Sequence, residues 1–179
     1  VAVTGSMAIE PAYVEAYPGT EIKALKAFFD PSFNLRFISG DVLTGTNVGK
    51  DGFLGFYDNQ VTILEEGDKY EMFGWAKPFR PALFSSSRTY FSWLTPKKKY
   101  DMDTNLHGGP RAFVVNDVYG KVLPMNLFPV YLLKACLANN IDDMEKHGIY
   151  EVIEEDFALC EYVCPSKIEI QQIISEGIA

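Results

Sequence analysis

The chain has 179 residues, of which 47% are hydrophobic and 22% charged, a composition typical of a globular protein rather than a disordered or fibrous one. Its formal net charge of −8 argues against a general nucleic-acid binder, which needs a basic surface to displace counterions from phosphates. Three cysteines without a repeated spacing predict reduced thiols rather than a disulfide framework.

The first 76 residues alternate strand-like runs with turn residues. Strands are predicted at 1–4, 13–17 and 34–39, each followed by glycine or Pro-Gly. Between the second and third strands a helix is predicted, with Thr20 as its N-cap. Its apolar face is formed by Ile22, Leu25, Phe28 and Phe29. Two strands, a crossing helix and further strands indicate a β-grasp order, and a hairpin of 53–57 with 60–65 is predicted next.

Two glycines bracket a short segment after the third predicted strand. Glycine permits tight turns and lets a backbone approach a ligand closely. Gly40, Asp41, Thr44 and Gly45 therefore form a candidate ligand loop, with a purely structural turn as the alternative interpretation.

Residues 77–110 are predicted to form a basic linker rich in aromatic residues. Between 77 and 99 the sequence holds six of the sixteen cations and no acid. One interpretation is a solvated linker whose aromatic rings pack on neighbouring domains; the other is a docking surface for another subunit or for anionic lipid headgroups. The docking candidates are Arg88, Lys97, Lys98 and Lys99.

From residue 111 onward a short strand pair, 111–115 with 118–123 over Asn116-Asp117, is predicted to precede a helical region. The apolar stretch 122–138 is short and interrupted by prolines and a lysine, so it predicts a buried helix rather than a membrane span. Asn126 is the expected cap of this helix, with Pro129 in its first turn.

Capping-box spacing also places helix starts at Asp142 with Glu145 and at Ser166 with Glu169. The last helix is expected to present isoleucines on one face. Between 139 and 179 there are ten acids and two lysines, so the chain is electrically polarised.

Cys160 and Cys164, followed by proline, form the second half of the iron–sulfur signature C-x₂-C-x₂-C-x₃-C-P. The two missing positions hold Glu154 and Phe157. Phenylalanine offers no lone pair, and a carboxylate is a hard ligand poorly suited to the cluster. We therefore predict that the two cysteines are a remnant, buried as small hydrophobic residues. A thiolate metal site with Cys136 as third ligand is the alternative.

Other chemistry has little support in the sequence. Neither His107 nor His147 sits in a metal-ligand spacing with cysteine or a second histidine. No nucleophile with an orienting base and acid is visible, and no phosphate-binding loop or Rossmann glycine motif occurs. Nicotinamide or flavin chemistry is therefore expected elsewhere.

Residues 1–45 resemble the soluble-ligand-binding β-grasp domain, and the whole chain, in order, resembles the A subunit of the Na⁺-translocating NADH:quinone reductases. The motifs that carry the resemblance are Val3-Thr4-Gly5, Pro11, Gly19-Thr20 and 36–45, then Asn59-Gln60-Val61, Phe73-Gly74-Trp75, Gly108-Gly109-Pro110-Arg111-Ala112, 122–129 and 154–165. Asn126 stands where relatives often have Asp, and Ser166 where they often have Gly.

The resemblance implies a peripheral, cytoplasm-facing subunit of a bacterial inner-membrane complex that oxidises NADH, reduces ubiquinone or menaquinone and exports Na⁺. Flavins and iron centres would reside in other subunits, so this chain is expected to bind no cofactor and to be non-catalytic by itself. Its implied partners are the other subunits, and quinone is a further candidate ligand.

We therefore expect an α+β chain with a β-grasp-like domain over 1–76, a linker over 77–110 and a mainly helical domain over 111–179. Because it begins with a valine in a strand-like run, we expect it to be part of a longer protein, acting as a scaffold and docking module. The alternatives are a stand-alone ligand-binding β-grasp module and the iron–sulfur subunit of a related ferredoxin-linked complex, which would need cysteines at positions 154 and 157.

Overall fold

The computed structural model describes residues 1–77, 79–85, 90–109, 111–114 and 117–179, apart from the side chain of Trp75. A mixed five-stranded sheet and several helices confirm the predicted α+β class. The chain divides into two compact units, Val1–Gly109 and Pro110–Ala179. The docking candidate Arg88 and the predicted turn residue Asn116 lie outside the described residues.

The first unit is built around one sheet. Its strands are β1 (Ala2–Thr4), β2 (Ala12–Tyr13), β3 (Leu35–Ser39), β4 (Thr46–Asn47) and β5 (Gln60–Glu65). The strand order is β2-β1-β5-β3-β4, with β1 parallel to β5 and the other neighbours antiparallel. With one helical segment between β2 and β3, this is the β-grasp order that the sequence predicted.

The crossing segment of this unit is a 3₁₀-helix over Ile22–Phe28 rather than an α-helix. Ile22 and Leu25 are buried, and their spacing of three residues places them on one face of a helix with three residues per turn. The expected cap, Thr20, instead hydrogen-bonds with the backbone of Tyr17, as donor to its carbonyl and acceptor from its N–H. The predicted position of the helix is confirmed, but the predicted cap, Thr20, was wrong.

The predicted hairpin of 53–57 with β5 is also wrong. Residues 53–57 form no strand, and β5 pairs with β1 and β3 instead. Leu54 is buried and exchanges backbone hydrogen bonds with the connection after β2: its N–H donates to the Thr20 carbonyl, and the Gly19 N–H donates to the Leu54 carbonyl. Because β5 lies at the centre of the sheet, both of its edges are taken by other strands.

Residues near position 104 are hydrogen-bonded to the segments that directly follow β1 and β5. Ser6 Oγ donates to the Met102 carbonyl at 2.9 Å, and the Gly67 N–H donates to Thr104 Oγ1 at 2.6 Å. The described part of 77–109 accordingly belongs to the first compact unit.

A partly buried ion pair connects a residue of β3 with the residue that directly follows β5. Arg36 donates from Nε to Glu66 Oε2 at 2.8 Å and from Nη2 to Oε1 at 2.6 Å. The hydrogen bond from Arg36 lowers the pKa of Glu66 below its ordinary value of 4.5. A carboxyl whose pKa is lowered by folding stabilises the fold above its unfolded pKa, and this contribution is lost as the pH falls through the folded pKa.

Replacing Glu66 by glutamine should therefore lower the free energy of unfolding by about 0.5–1 kcal/mol at pH 7, and the difference should be lost at an acidic pH below the folded pKa of Glu66. Urea unfolding at both pH values measures it. Glu65→Gln is the control, because among the described residues the Glu65 side chain forms an ion pair with the exposed Lys69 alone, at 3.7 Å. An equal loss of unfolding free energy at both pH values would contradict an electrostatic origin for the stabilisation by Glu66.

The second unit is helical. Its α-helices are α1 (Pro129–Leu137), α2 (Ile141–Lys146), α3 (Ala158–Val163) and α4 (Ile170–Ile178), with 3₁₀ turns at Tyr119–Lys121, Ile149–Glu151 and Glu154–Phe157. Within the ranges described, none of the helices has the length and apolar character needed to cross a membrane.

The predicted strand pair does not form in the described residues 111–114 and 117–123. A 3₁₀ turn over Tyr119–Lys121 lies there instead, and the ring of Tyr119 is fully buried in the core of this unit. Pro129 begins α1 as predicted, but Phe128 occupies the cap position, so Asn126 is not the cap.

Two further predicted caps are replaced by other contacts. Asn140, rather than Asp142, caps α2, because its Oδ1 accepts from the Asp143 N–H at 3.3 Å. Ser166 is buried and donates to the Ala112 carbonyl at 2.8 Å, four residues before α4 begins. In the interior a hydroxyl must find a partner, and this tertiary hydrogen bond provides one.

Candidate functional site

The loop 40–45 is closed by its own aspartate. Asp41 Oδ1 accepts from the Leu43 N–H at 2.7 Å and from the Thr44 N–H at 2.9 Å. The Gly45 N–H donates to the Asp41 carbonyl at 3.1 Å. This is an Asx turn, in which the carboxylate satisfies backbone donors that would otherwise face solvent.

Both glycines of this loop are required by the backbone. Gly40 has a φ of +96°, donates its N–H to the Gln60 carbonyl at 2.8 Å, and accepts from Thr62 Oγ1 at 2.9 Å. A Cβ on Gly45 would lie 2.6 Å from Ile38 Cγ2. The structure thus brings the four candidate residues into one turn and gives their backbone a structural role, while ligand binding there stays a prediction.

A buried serine beside this loop was not predicted. Ser39 ends β3, donates from Oγ to Asp58 Oδ2 at 2.5 Å, and accepts from the Gly55 N–H at 2.8 Å. It ties the segment before β5 to the sheet. Only its place at the end of an apolar run could have indicated burial.

The two cysteines of the partial iron–sulfur signature are fully buried in the helical unit. Burial, with a smaller effect from neighbouring Cys164, raises the pKa of Cys160 to about 11. Iron and zinc are bound by the thiolate, so this environment disfavours the ligand form.

Two buried aromatic side chains lie in the same core as these sulfurs. The Tyr119 hydroxyl lies 3.0 Å from Cys164 Sγ, and Phe157, at one of the vacated ligand positions, is fully buried in the same core. Cys136 is only half-buried, and a Cβ built on Gly177 would lie 2.7 Å from its sulfur. In the parts of the chain that the structure describes, no three His, Cys, Asp or Glu side chains are grouped as metal ligands.

Each of the two histidines contacts a side chain other than a cysteine. His107 Nε2 is 2.9 Å from Asp103 Oδ1, and His147 stacks on Tyr131 with 5.8 Å between the ring centroids.

Two cations of the basic segment share one local carboxylate. Glu71 accepts from Lys77 Nζ at 2.7 Å and from Arg80 Nη1 at 2.5 Å. Hydrogen bonds from Lys77 and then Arg80 lower the pKa of Glu71. The Arg80 guanidinium also lies over the Tyr90 ring, 5.6 Å from its centroid. These two cations are therefore committed to contacts within the unit.

The three consecutive lysines differ from one another. Lys98 Nζ donates to the Pro81 carbonyl and lies 5.3 Å from the centroid of the Tyr100 ring. Lys97 and Lys99 are exposed and form no ion pair with any described residue. Of the docking candidates that the structure describes, these two present their charge to solvent.

Apolar side chains are exposed next to these lysines. Ser92 is only 6% exposed, and its Oγ accepts from the Ser85 N–H at 3.1 Å. The same 3₁₀ turn, Ser92–Leu94, leaves Trp93 52% and Leu94 61% exposed, and Phe91 precedes them. We call residues 91–99 the tip loop.

The second unit carries the opposite charge. Between 139 and 179 there are ten acids and two lysines, and none of the acids is ion-paired within the described ranges. On its surface the exposed rings of Phe128 and Tyr131 meet at 6.2 Å between centroids, and Tyr131 stacks on His147. An acidic surface with an exposed aromatic patch suits a basic protein partner.

Comparison with known proteins gives consistent matches. Residues 1–50 match the family model described as the NQRA C-terminal domain. Three similar proteins are each named as the A subunit of a Na(+)-translocating NADH-quinone reductase. The one from Rhodopirellula baltica is 39% identical over 99% of this chain and 39% of its own length, and the one from Shewanella frigidimarina is 39% identical over 94% of this chain and 38% of its own length. The one from Serratia proteamaculans is 36% identical over 98% of this chain and 39% of its own length. The chain thus spans about two fifths of the length of the curated relatives it matches.

Proposed function

We propose that this chain serves as a scaffold and docking segment within the A subunit of a Na(+)-translocating NADH-quinone reductase, the protein to which nearly its whole length is similar. The observation that carries the proposal is 39% identity to the Rhodopirellula baltica protein across 99% of this chain.

In this proposal the complex oxidises NADH, reduces quinone and moves Na⁺ across the bacterial inner membrane, with this segment on the cytoplasmic side. Flavins and iron centres belong to other subunits, and this segment holds no redox centre. The buried cysteines and the ring of Phe157 support that division, because a cluster ligand would have to replace a packed aromatic side chain.

The acidic surface of the second unit is the proposed contact with neighbouring subunits. The exposed aromatic rings and the acids without ion pairs on this unit would pack against a partner surface that presents lysine or arginine. Co-expression of the chain with the membrane subunits, followed by affinity purification in detergent, should recover it with the complex.

Tyr131→Ala should weaken that recovery about fivefold, the loss expected for an interface aromatic residue worth about 1 kcal/mol. Tyr13→Ala is the matched control, since Tyr13 is an exposed tyrosine of the sheet unit. Failure of the unaltered chain to join the complex would contradict the scaffold proposal, and equal losses for both variants would contradict the choice of surface.

A direct quinone contact at the loop 40–45 is the second candidate, favoured by the exposed side chain of Val42 between the two glycines. Calorimetric titration of the chain with a water-soluble ubiquinone analogue separates the two. Binding without any partner subunit would favour the ligand module; the scaffold proposal expects none.

A further inference from the structure

We propose that the tip loop, residues 91–99, is a membrane-surface contact that binds anionic lipid headgroups. This inference deepens the proposed function, on which it rests, by assigning a lipid bilayer as the partner of this loop. Three observations support it: the turn Ser92–Leu94 buries its serine and exposes its tryptophan and leucine, Lys97 and Lys99 form no ion pair with a described residue, and charge is unevenly distributed along the chain.

The burial order of the 3₁₀ turn is the reverse of the usual one. Ser92, a small polar residue, is buried, while Trp93 and Leu94 project outward. Tryptophan and leucine are ordinarily among the residues that folding removes from water. Their exposure here is not the result of a loose chain, because the turn is held in place on both sides.

The hydrogen bonds that hold the turn begin with the buried hydroxyl. Ser92 Oγ accepts from the Ser85 N–H at 3.1 Å and donates to the Ser85 carbonyl at 3.3 Å. The Thr95 N–H donates to the Ser92 carbonyl at 3.1 Å, and Thr95 Oγ1 lies 3.0 Å from the Tyr100 hydroxyl. A fixed turn of this kind presents Trp93 and Leu94 to the outside at little further entropic cost.

The sequence that follows these side chains is positively charged as far as Lys99, and the next acid is Asp101. Lys97 and Lys99 have no ion pair among the described residues, and the sequence from 77 to 99 contains no acid. Among the described residues, Glu71 forms ion pairs with Lys77 and Arg80 and with neither Lys97 nor Lys99. A negative lipid surface attracts such lysines, and it repels the rest of a chain whose net charge is −8. The tip loop would therefore face the bilayer.

The residue types favour a bilayer over a protein surface. Lysine is depleted at the core of protein interfaces, where arginine is preferred, whereas lysine next to tryptophan is the combination found at the level of lipid headgroups. The ring of Trp93 and the side chain of Leu94 would enter the headgroup layer, and Lys97 and Lys99 would contact the phosphates.

Vesicle flotation tests the proposal on the whole chain without any partner subunit. Phosphatidylcholine vesicles with and without phosphatidylglycerol are the probes. We expect binding only to vesicles that contain phosphatidylglycerol, reduced at high salt because exposed charges are screened. In a Trp75→Phe variant Trp93 is the single tryptophan, and its emission should shift to shorter wavelength on binding.

Two matched pairs of variants locate the contact. Lys97→Gln with Lys99→Gln should weaken binding at least about tenfold, whereas Lys26→Gln with Lys50→Gln, which removes the same charge from exposed lysines elsewhere, should change it less than about twofold. Trp93→Ala should also weaken binding, whereas Phe56→Ala, at another exposed aromatic residue, should not. Circular dichroism checks that every variant is folded.

The proposal is overturned if the chain does not float with phosphatidylglycerol vesicles, or if the two lysine pairs behave alike. It is also overturned if the tip-loop variants lose only their association with the detergent-solubilised subunits, which would identify a protein partner. Vesicle binding by a chain that fails to join the complex would support the lipid contact and contradict the proposed function, so the two failures are distinguishable.

Discussion

Replacing Gly5 by alanine is expected to lower the free energy of unfolding by about 4 kcal/mol or more, a large part of the stability of an ordinary domain. Gly5 directly follows β1 and has a φ of +113°, a conformation that side chains rarely adopt. A Cβ placed there would lie 2.0 Å from the carbonyl oxygen of Ile63.

The contact cannot relax cheaply, because both elements belong to the centre of the sheet. β1 and β5 are the parallel pair, and the Met7 N–H donates to the same Ile63 carbonyl at 3.2 Å. Moving this backbone apart would break ladder hydrogen bonds and expose the core around Val3 and Val61.

Gly19→Ala is the matched control for this prediction. Gly19 also has a positive φ, +80°, but no atom lies within 4 Å of the position a Cβ would take. Its replacement should therefore cost only the strain of the left-handed backbone, about 1–2 kcal/mol. Urea unfolding followed by circular dichroism compares the two variants. Equal losses would show that the approach to Ile63 is not what makes Gly5 necessary.

The elements that the sequence predicted well are those whose burial is determined locally. β3 and β5 are apolar runs bounded by turn residues, and both form where the pattern indicated. The 53–57 segment has a similar local pattern but forms no strand, because β5 is already paired on both edges. A strand's partners are a property of the whole sheet, and one sequence does not state which edges are taken.

In the candidate sites, too, features determined by nearby residues could be predicted and features determined by distant residues could not. The loop 40–45 and the burial of Cys160 could be predicted from nearby glycines and apolar neighbours. Ser39 and Ser166 could not, because their hydrogen-bond partners lie far away in sequence, at Asp58 and Ala112. Such contacts depend on tertiary packing, which overrides the local preferences of serine for caps and turns.

Replacing Phe157 by alanine is expected to destabilise the helical unit by about 3–5 kcal/mol, the loss typical of a buried phenylalanine. Its ring is fully buried in a core that also contains Tyr119, Leu133 and Ile174. Leu159→Ala, at a half-exposed position two residues away, is the control and should cost less than about 1 kcal/mol. Chemical unfolding measures both, and similar losses would contradict the packing role of Phe157.

Position 157 is also one of the two positions at which the iron–sulfur signature lacks a cysteine. We expect a variant with Glu154→Cys and Phe157→Cys to be less stable than the unaltered chain and to bind no cluster. The Tyr119 hydroxyl, 3.0 Å from Cys164 Sγ, occupies space that a metal ion would need at about 2.3 Å from a ligating sulfur. Burial also raises the pKa of Cys160 to about 11, which disfavours the thiolate.

Anaerobic reconstitution with iron and sulfide, followed by visible absorption and iron analysis, measures this outcome. Tyr119→Ala added to the double variant tests the reason: if the phenol is what excludes iron, only the triple variant should gain iron and broad visible absorption. Cluster formation in the double variant would mean that the helix still holds its sulfurs in ligating geometry and that two substitutions alone removed the redox centre. Its absence from both variants would place the obstacle in the packed core as a whole, because α3 would then depend on the buried ring of Phe157 for its position.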